Sequence, residues 1–281
     1  MNKKKIGVVD IKGGFGNQLF QIALAKYLTD NNFDIYINTR NFQRSKSIKN
    51  LNVDLRELIL PLSLFDMREI PDYRFKFLEI IQKIDNQSIV KKITGHNFEI
   101  SKLRKINRFD GYWQNQLYFN HSKNFLLTSL AKNQTIKKGL EEKNQAGSTM
   151  LHVRRGDYTS LQECLSVGYY EKALFMAKEN IENFSFSVFT DDIAWVKKHE
   201  IFQSAENIYH SSNSKEDTLI AFSQMLQFQN FITANSTFSL TAALLSQNKN
   251  TKIFIPNPWF RNSPKKIENM NYIIKKNFLK Y

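Results

Sequence analysis

The sequence predicts an α/β protein made of two Rossmann-like halves facing a central cleft. Three observations predict it. In the second half, short apolar runs alternate with amphipathic stretches over short connections, the pattern of a parallel sheet covered by helices on both faces. The first half opens in the same way, with KIGVVDI, KGGFGNQ, LFQIALAKYLTDN and FDIYIN in turn (residues 5–38). Polar clusters also follow successive apolar runs of the second half: RRGDY after the first, DD after the second and NST after the fourth. In such sheets ligands collect at the carboxyl ends of the strands.

Taken in order, KIGVVDI reads as a strand, KGGFGNQ as a loop, LFQIALAKYLTDN as a helix and FDIYIN as a second strand. The loop is not a dinucleotide fingerprint, because Leu19 stands where a third glycine is needed. It is not a phosphate-binding P-loop either, since no Gly-Lys-Ser/Thr follows. Two readings stay open: a tight turn needing positive φ at one or more glycines, or a loop that presents backbone N–H groups to a ligand. Asn17 and Gln18, read as exposed amides able to bond hydroxyls, favour the ligand loop with Gly14 and Gly16. Between residues 40 and 108 the periodicity blurs. RFDGYWQNQLYF (108–119) then reads as a strand and a helix start. EEKNQAGS (141–148) is the best boundary, giving an N-terminal Rossmann-like domain over 1–145 and a C-terminal Rossmann-like domain over 146–281.

The second half reads as strands at 149–153, 184–190, 207–211, 230–234 and 252–256, the last one stopped by Pro256 and Pro258. Helices fill 169–181, 191–202, 215–228 and 236–247 between them. The helix at 191 starts at an Asp cap and the one at 236 at a Ser/Thr start.

Composition narrows the function classes. The 281 residues are 42% hydrophobic and 13% aromatic, enough for a packed core. One cysteine, Cys164, rules out an intrachain disulfide and fits a reducing compartment. The N-terminal apolar run is too short for a signal peptide and is broken by Asp10 and Lys12. No run reaches the ~18 apolar residues of a membrane span. The expected location is the cytoplasm, peripheral at the inner face of the membrane. Net charge is +14, but the lysine pairs are scattered and no nucleic-acid-binding signature is present. A basic surface with a phosphorylated substrate, and contact with anionic lipid, are the readings kept; nucleic acid is not expected as a partner.

The chemistry concentrates in HVRRGDY. Side chains alternate along a strand, so His152 and Arg154 share a face. An arginine fork suits phosphate, because it gives two parallel charge-assisted bonds. The bland alternative is an Arg–Asp pair across the turn, with Arg155 and Asp157 as its members. In FTDDI, one of Asp191 and Asp192 is expected as a helix cap. The other can accept from a guanine edge or from ribose, or serve a divalent metal, for which the neighbourhood lacks an oxygen-rich ligand set. In ANSTFS, a helix start with Ser236 and Thr237 suits phosphate or is plain capping. The other histidines show no ligand spacing, and Cys164 lies in no nucleophile motif.

GGFGNQLFQIALAKYL, GYWQNQLYF, HVRRGDY, FTDD and ITANSTFSLTAALL, in this order and spacing, resemble the α-1,2-fucosyltransferases of glycosyltransferase family 11. One departure is Leu240 followed by Thr241, where the family often carries two tryptophans. The resemblance implies a GT-B-like fold and an inverting transferase that uses GDP-β-L-fucose without a metal or other cofactor. Arg154 would hold the β-phosphate and His152 the nucleotide. Asp191 would read guanine, and Ser236, Thr237 and Ser239 would surround the pyrophosphate. Gly14, Gly16, Asn17 and Gln18 would face the cleft from the other half. The implied acceptor is a terminal β-galactoside of a surface glycan, of the lipopolysaccharide O-antigen type or a lipid-linked repeat unit, fucosylated on its 2-hydroxyl.

Sugar–diphosphate cleavage leaves negative charge on the departing phosphate, so a preorganised Arg154 lowers the barrier. The acceptor hydroxyl must lose a proton to a base within hydrogen-bond reach, and Asp157 is the candidate by position. Rival readings are another GDP- or UDP-sugar transferase on the same fold, and a non-enzymatic basic protein that binds polyanions.

Overall fold

A computed structural model describes residues 4–42, 56–84, 89–95, 97–144, 147–212, 214–260 and 278–280. The chain divides into two compact units, Met1–Leu130 and Ala131–Tyr281. Each carries its own parallel sheet, as the alternating pattern predicts.

The first unit contains β1 (Lys5–Asp10), α1 (Phe15–Asp30), β2 (Phe33–Asn38), α2 (Asp72–Ile84), β3 (Val90–Ile93), β4 (Ile106–Phe109) and α3 (Gln116–Leu130). Its sheet runs β2-β1-β4-β3, every pair parallel. From β1 the chain continues to β2 on one side, while β4 lies on the other, so the strand order reverses between β1 and β4. Helix α1 is buried along most of its length, from Leu19 and Phe20 to Leu28. It packs on α3 through Phe20 against Phe119 and Tyr27 against Tyr118, ring centroids 4.9 Å apart in both pairs. The Ser122 hydroxyl donates to the Ala23 carbonyl at 2.8 Å and ties the two helices.

The blurred stretch holds α2 and β3. Strand β3 is only VKKI, with Val90 and Ile93 buried. Helix α2 sends Phe75 and Leu78 into a core with Val8, Tyr36, Ile70 and Val90, but it also keeps large apolar side chains on its outer side. Neither element shows a clean one-sided period.

The second unit contains α4 (Gln134–Glu141), β5 (Ser148–Val153), α5 (Gly156–Ser160), α6 (Val167–Asn180), β6 (Ser185–Thr190), α7 (Ile193–Lys197), β7 (Ile208–His210), α8 (Lys215–Met225), β8 (Asn230–Ile232), α9 (Thr237–Leu245), β9 (Ile253–Ile255) and β10 (Phe278–Lys280). The sheet order is β10-β9-β8-β5-β6-β7, all parallel. Its first strand, β5, is central and buried throughout. The order reverses between β5 and β8, the doubly-wound arrangement that leaves a ligand crevice beyond those two carboxyl ends. Leu151, Val153, Val188, Ile232 and Phe254 from the sheet pack with Tyr170, Ala173 and Ala177 of α6 to form the core.

Four expectations shift. The boundary expected at 145/146 lies outside the described residues, and the division falls earlier because α4 packs on α8. A Cβ on Gly139 would lie 2.0 Å from the Ser223 carbonyl oxygen, and the Ser223 hydroxyl donates to the Thr135 carbonyl. The strand at 253–255 is not the last, since β10 pairs beside it. The helix expected over 191–202 ends at Lys197, where the closing bonds tighten to His199 N–H on the Val196 carbonyl, and the His199 ring takes the Trp195 carbonyl at 2.7 Å. Helix α1 starts at Phe15, so Gly16, Asn17 and Gln18 form its first turn rather than a loop.

Candidate functional site

At the carboxyl edge of the second sheet the chain leaves β5 into a very short helix, and Arg154 and Arg155 sit at that turn. Arg154 makes ion pairs in two directions: Nη2 to Asp157 Oδ1 at 2.6 Å and Nη1 to Asp191 Oδ2 at 2.7 Å. Its ring neighbour is Tyr158, 5.8 Å from the guanidinium carbon. Burial works against its charge, but Asp191 and Asp157 outweigh burial and raise its pKa above the ordinary value. Arg154 is thus a fixed cation at all working pH values.

Arg155 faces elsewhere. Its Nε donates to Asp192 Oδ2 at 3.0 Å, and its guanidinium stacks over Trp195 at 4.6 Å. The alternative Arg155–Asp157 pair does not form; Asp157 pairs with Arg154 instead. Asp192 is the helix cap, its Oδ1 accepting from Trp195 N–H at 2.9 Å. Asp191 accepts from Arg155 N–H at 2.8 Å as well as pairing with Arg154, so both of its oxygens serve this cluster. Gly156 makes room for it: a Cβ there would lie 2.7 Å from Asp191 Oδ2.

His152 comes from the end of β5 and is almost fully buried. Its Nδ1 lies 2.9 Å from Ser239 Oγ, and its ring meets the edge of Phe238 at 6.1 Å. Burial first, and the Arg154 charge second, lower its pKa to about 3. His152 is therefore neutral at physiological pH and can present only one N–H. Ser239 is fully buried, so it orients the histidine and does not lie open to a pyrophosphate. Ser236 caps α9, accepting from Phe238 N–H at 3.4 Å, and Thr237 is partly exposed on the first turn. The structure thus brings His152, Arg154, Asp157, Asp191, Ser236, Thr237 and Ser239 to the edge where β5, β6 and β8 end.

Sequence reasoning missed three supports of this edge. Tyr158 donates to the Asn235 carbonyl at 3.0 Å, Tyr169 donates to the Thr233 carbonyl at 2.6 Å, and Asn235 Nδ2 donates to the Glu163 carbonyl at 2.8 Å. They fix the loop after β8 to the segment from α5 to the start of α6. The available signal was the tyrosine in RRGDY and the Asn before ST, each adjacent to residues already singled out. Asn235 Oδ1 is buried without a hydrogen-bond partner among the described residues.

In the first unit the glycine-rich segment splits by role. Gly13 holds φ +80°, the left-handed conformation that favours glycine. Gly14 is an extended N-cap at φ −70°, and a Cβ there would meet nothing within 4 Å. Gly16 is buried. Gln18, expected as an exposed amide, is buried instead. It donates to the Gly13 and Glu57 carbonyls at 3.0 and 2.8 Å and accepts from Ile59 N–H at 3.1 Å. A helical first turn points it inward, and three backbone partners satisfy it. Asn17 is half-exposed, its Oδ1 accepting from Gln114 Nε2 at 2.8 Å. Just past the end of β4, Asp110 lies between Lys12 at 2.5 Å and Lys92 at 2.8 Å. Burial works against its charge, but the two lysines lower its pKa to about 2.

Elsewhere, His121 pairs with Asp30 at 2.8 Å, Cys164 Sγ lies 3.7 Å from the Arg155 carbonyl, and His96 lies outside the described residues. Among the described residues, no group of three or more His, Cys, Asp or Glu side chains is placed to hold a metal ion, and no helix is long and apolar enough to cross a membrane.

An α-1,2-colitosyltransferase of Escherichia coli is 28% identical, covering 91% of this chain and 92% of that protein. The O-antigen biosynthesis glycosyltransferase WbnK of Escherichia coli is 24% identical over 91% and 95% of the two chains. Among solved structures, a NodZ α-1,6-fucosyltransferase soaked with GDP-fucose is 16% identical, covers 87% of this chain and 93% of its own, and gives a TM-score of 0.46. The family model described as Glycosyl transferase family 11 matches residues 7–279, nearly the whole length. The chain therefore belongs to glycosyltransferase family 11.

Proposed function

We propose that this glycosyltransferase moves L-fucose from GDP-β-L-fucose to the 2-hydroxyl of a terminal β-galactoside, with inversion, without a metal, in the assembly of an O-antigen-type surface glycan. The observation that carries the reading is Arg154. It is a partly buried, permanently charged guanidinium at the strand-order reversal of the second sheet, held in place by two carboxylates. An anionic leaving group gains most from a donor already fixed where its charge will develop.

The steps follow from these side chains. The donor diphosphate lies beyond the ends of β5 and β8, where the first turn of α9 and Arg154 meet its charge. Phosphate replaces Asp157 on Arg154. The carboxylate released by that exchange takes the proton of the acceptor hydroxyl as its oxygen bonds the anomeric carbon. The glycosidic C–O bond to phosphate breaks on the opposite face, its electron pair stays on GDP, and Arg154 offsets the new charge. Neutral His152 adds no charge of its own; Ser239 fixes its ring, so it can give or take a single hydrogen bond with the nucleotide. Asp191 acts through Arg154 and the Arg155 backbone, which supports a positioning role over the guanine contact implied by resemblance. Acceptor recognition is assigned to the first unit.

A second donor is favoured by one observation, the likeness to an α-1,2-colitosyltransferase. Colitose lacks a ring hydroxyl that fucose carries, so the two donors differ by one polar contact. A site built to bond that hydroxyl rejects the deoxy sugar strongly, whereas an apolar one barely distinguishes them.

The test is GDP release in EDTA from GDP-fucose and, in parallel, GDP-colitose, with a panel of β-galactosides and with Arg154→Ala as control. Acceptor-dependent release from GDP-fucose in chelator supports the reading. Release from GDP-colitose alone replaces the donor, and release only after Mg²⁺ is restored overturns metal independence.

A further inference from the structure

Helix α2 is apolar on two opposite sides. Phe75 and Leu78 face the core at 3% and 7% exposure, whereas Tyr73, Phe77, Ile80 and Ile84 are 68%, 61%, 55% and 82% exposed. At 3.6 residues per turn those four side chains fall within an arc of about 60°. A helix packed by one face on a sheet normally turns charged and polar residues outward. Here the outward stripe is aromatic and aliphatic for the helix's full length. Contiguous exposed apolar surface of this kind marks an interaction site.

The flanks say what fits. Lys76 and Lys83 are exposed along one side of the stripe and Arg74 along the other. The helix's acids lie further round: Asp72, which pairs with Arg40, and Glu79. A stripe of Phe, Tyr and Ile bordered by Lys and Arg is the pattern of a helix that lies in a lipid headgroup layer, its apolar side chains in the acyl boundary and its cations among anionic headgroups. The chain's net charge of +14 acts in the same direction. A second copy of the chain fits worse, because it would set Lys76, Lys83 and Arg74 against the same cations.

We propose that helix α2 docks the protein on an anionic lipid surface, inserting Tyr73, Phe77, Ile80 and Ile84 between headgroups that bond Arg74, Lys76 and Lys83. The proposal does not depend on which sugar is transferred. It gives a basic transferase without a membrane-crossing helix among its described residues a means of meeting a lipid-linked acceptor.

The experiment is co-sedimentation of the full chain with phosphatidylcholine vesicles, with and without phosphatidylglycerol. The wild type is expected on the anionic vesicles and not on the neutral ones. Phe77→Ser with Ile80→Ser should weaken binding about tenfold or more. Lys76→Glu with Lys83→Glu should abolish the preference for phosphatidylglycerol. Both variants should keep the wild-type Tm and wild-type GDP release with a soluble acceptor. Equal binding by wild type and Phe77→Ser/Ile80→Ser overturns the proposal, as does no binding by the wild type. A wild-type dimer that this double variant converts to monomer assigns the stripe to a second copy instead. A fall of several degrees in its Tm assigns the stripe to packing within the chain.

Discussion

At the carboxyl edge of the second sheet, side chains bond to side chains: Arg154 to Asp157 and Asp191, Arg155 to Asp192, His152 to Ser239. At the same edge of the first sheet, amides bond mainly to backbone. Gln18 joins Gly13, Glu57 and Ile59, and Gln21 takes Lys12 N–H at 2.9 Å and gives to the Gly111 carbonyl at 3.0 Å. The two lattices suit different work. A lattice of paired charges can exchange one carboxylate for a phosphate and stay satisfied. An amide bonded to three peptide groups cannot let go without leaving buried polar groups unpaired, so it fixes the shape of loops. The second edge can change partners; the first is fixed.

The largest expected effect breaks the reactive edge. Arg154→Ala should lower kcat by about 10²–10³-fold, or ~3–4 kcal/mol in barrier, and should also lower Tm, because it leaves the buried Asp191 carboxylate without its cation. Arg155→Ala should mainly lower Tm, since Arg155 links the turn to Asp192 and Trp195. Steady-state kinetics and thermal melts on the pair check this. Equal activity in folded Arg154→Ala would remove the phosphate role.

Asp157→Asn sharpens the exchange. Removing the carboxylate that competes with phosphate for Arg154 should lower the donor KM severalfold. Removing the base should lower kcat on the order of a hundredfold. Opposite movements in KM and kcat are the signature. A lower KM with unchanged kcat would leave Asp157 as a counter-ion only.

The holding edge has its own test. Gln18→Ala should cost about 2–3 kcal/mol of stability, because Ile59 N–H and two carbonyls lose a buried partner. Asn17→Ala, with one bond to Gln114 and partial exposure, should stay within about 0.5 kcal/mol and change acceptor KM instead. Urea melts and acceptor titrations separate them.

That contrast also explains what was legible in the sequence. The strands, their parallel order and the cluster around HVRRGDY and ANSTFS follow from local pattern, since β5, β6 and β8 are short apolar runs with polar residues at their ends. What could not be read is which partner each side chain selects. Asp157 could pair with either arginine, and only the turn geometry gives it Arg154. Gln18 looks like an exposed amide because its partners, Glu57 and Ile59, are distant in sequence and lie in the stretch with no clear period. Helix α2 escaped for the opposite reason: with apolar residues on two faces, it has no single period to recognise.

The effect that is smallest near neutral pH compares the edges in acid. Each holds a group whose pKa the fold depresses, but the windows differ. His152 falls from 6.5 to about 3, so the unfolded chain gains a proton that the folded one refuses. Stability is intact above pH 6.5 and is lost as pH falls toward 3, the loss reaching on the order of 1 kcal/mol near pH 5.5. Asp110 falls from 3.8 to about 2. Its contribution is present above pH 3.8 and is lost as pH falls through 2. The Tm of the wild type should therefore drop in two stages on acidification. His152→Asn should flatten the upper stage and Asp110→Asn the lower. If His152→Asn leaves the upper slope intact, that histidine is not held neutral, and a charged imidazole beside Arg154 would then share the phosphate.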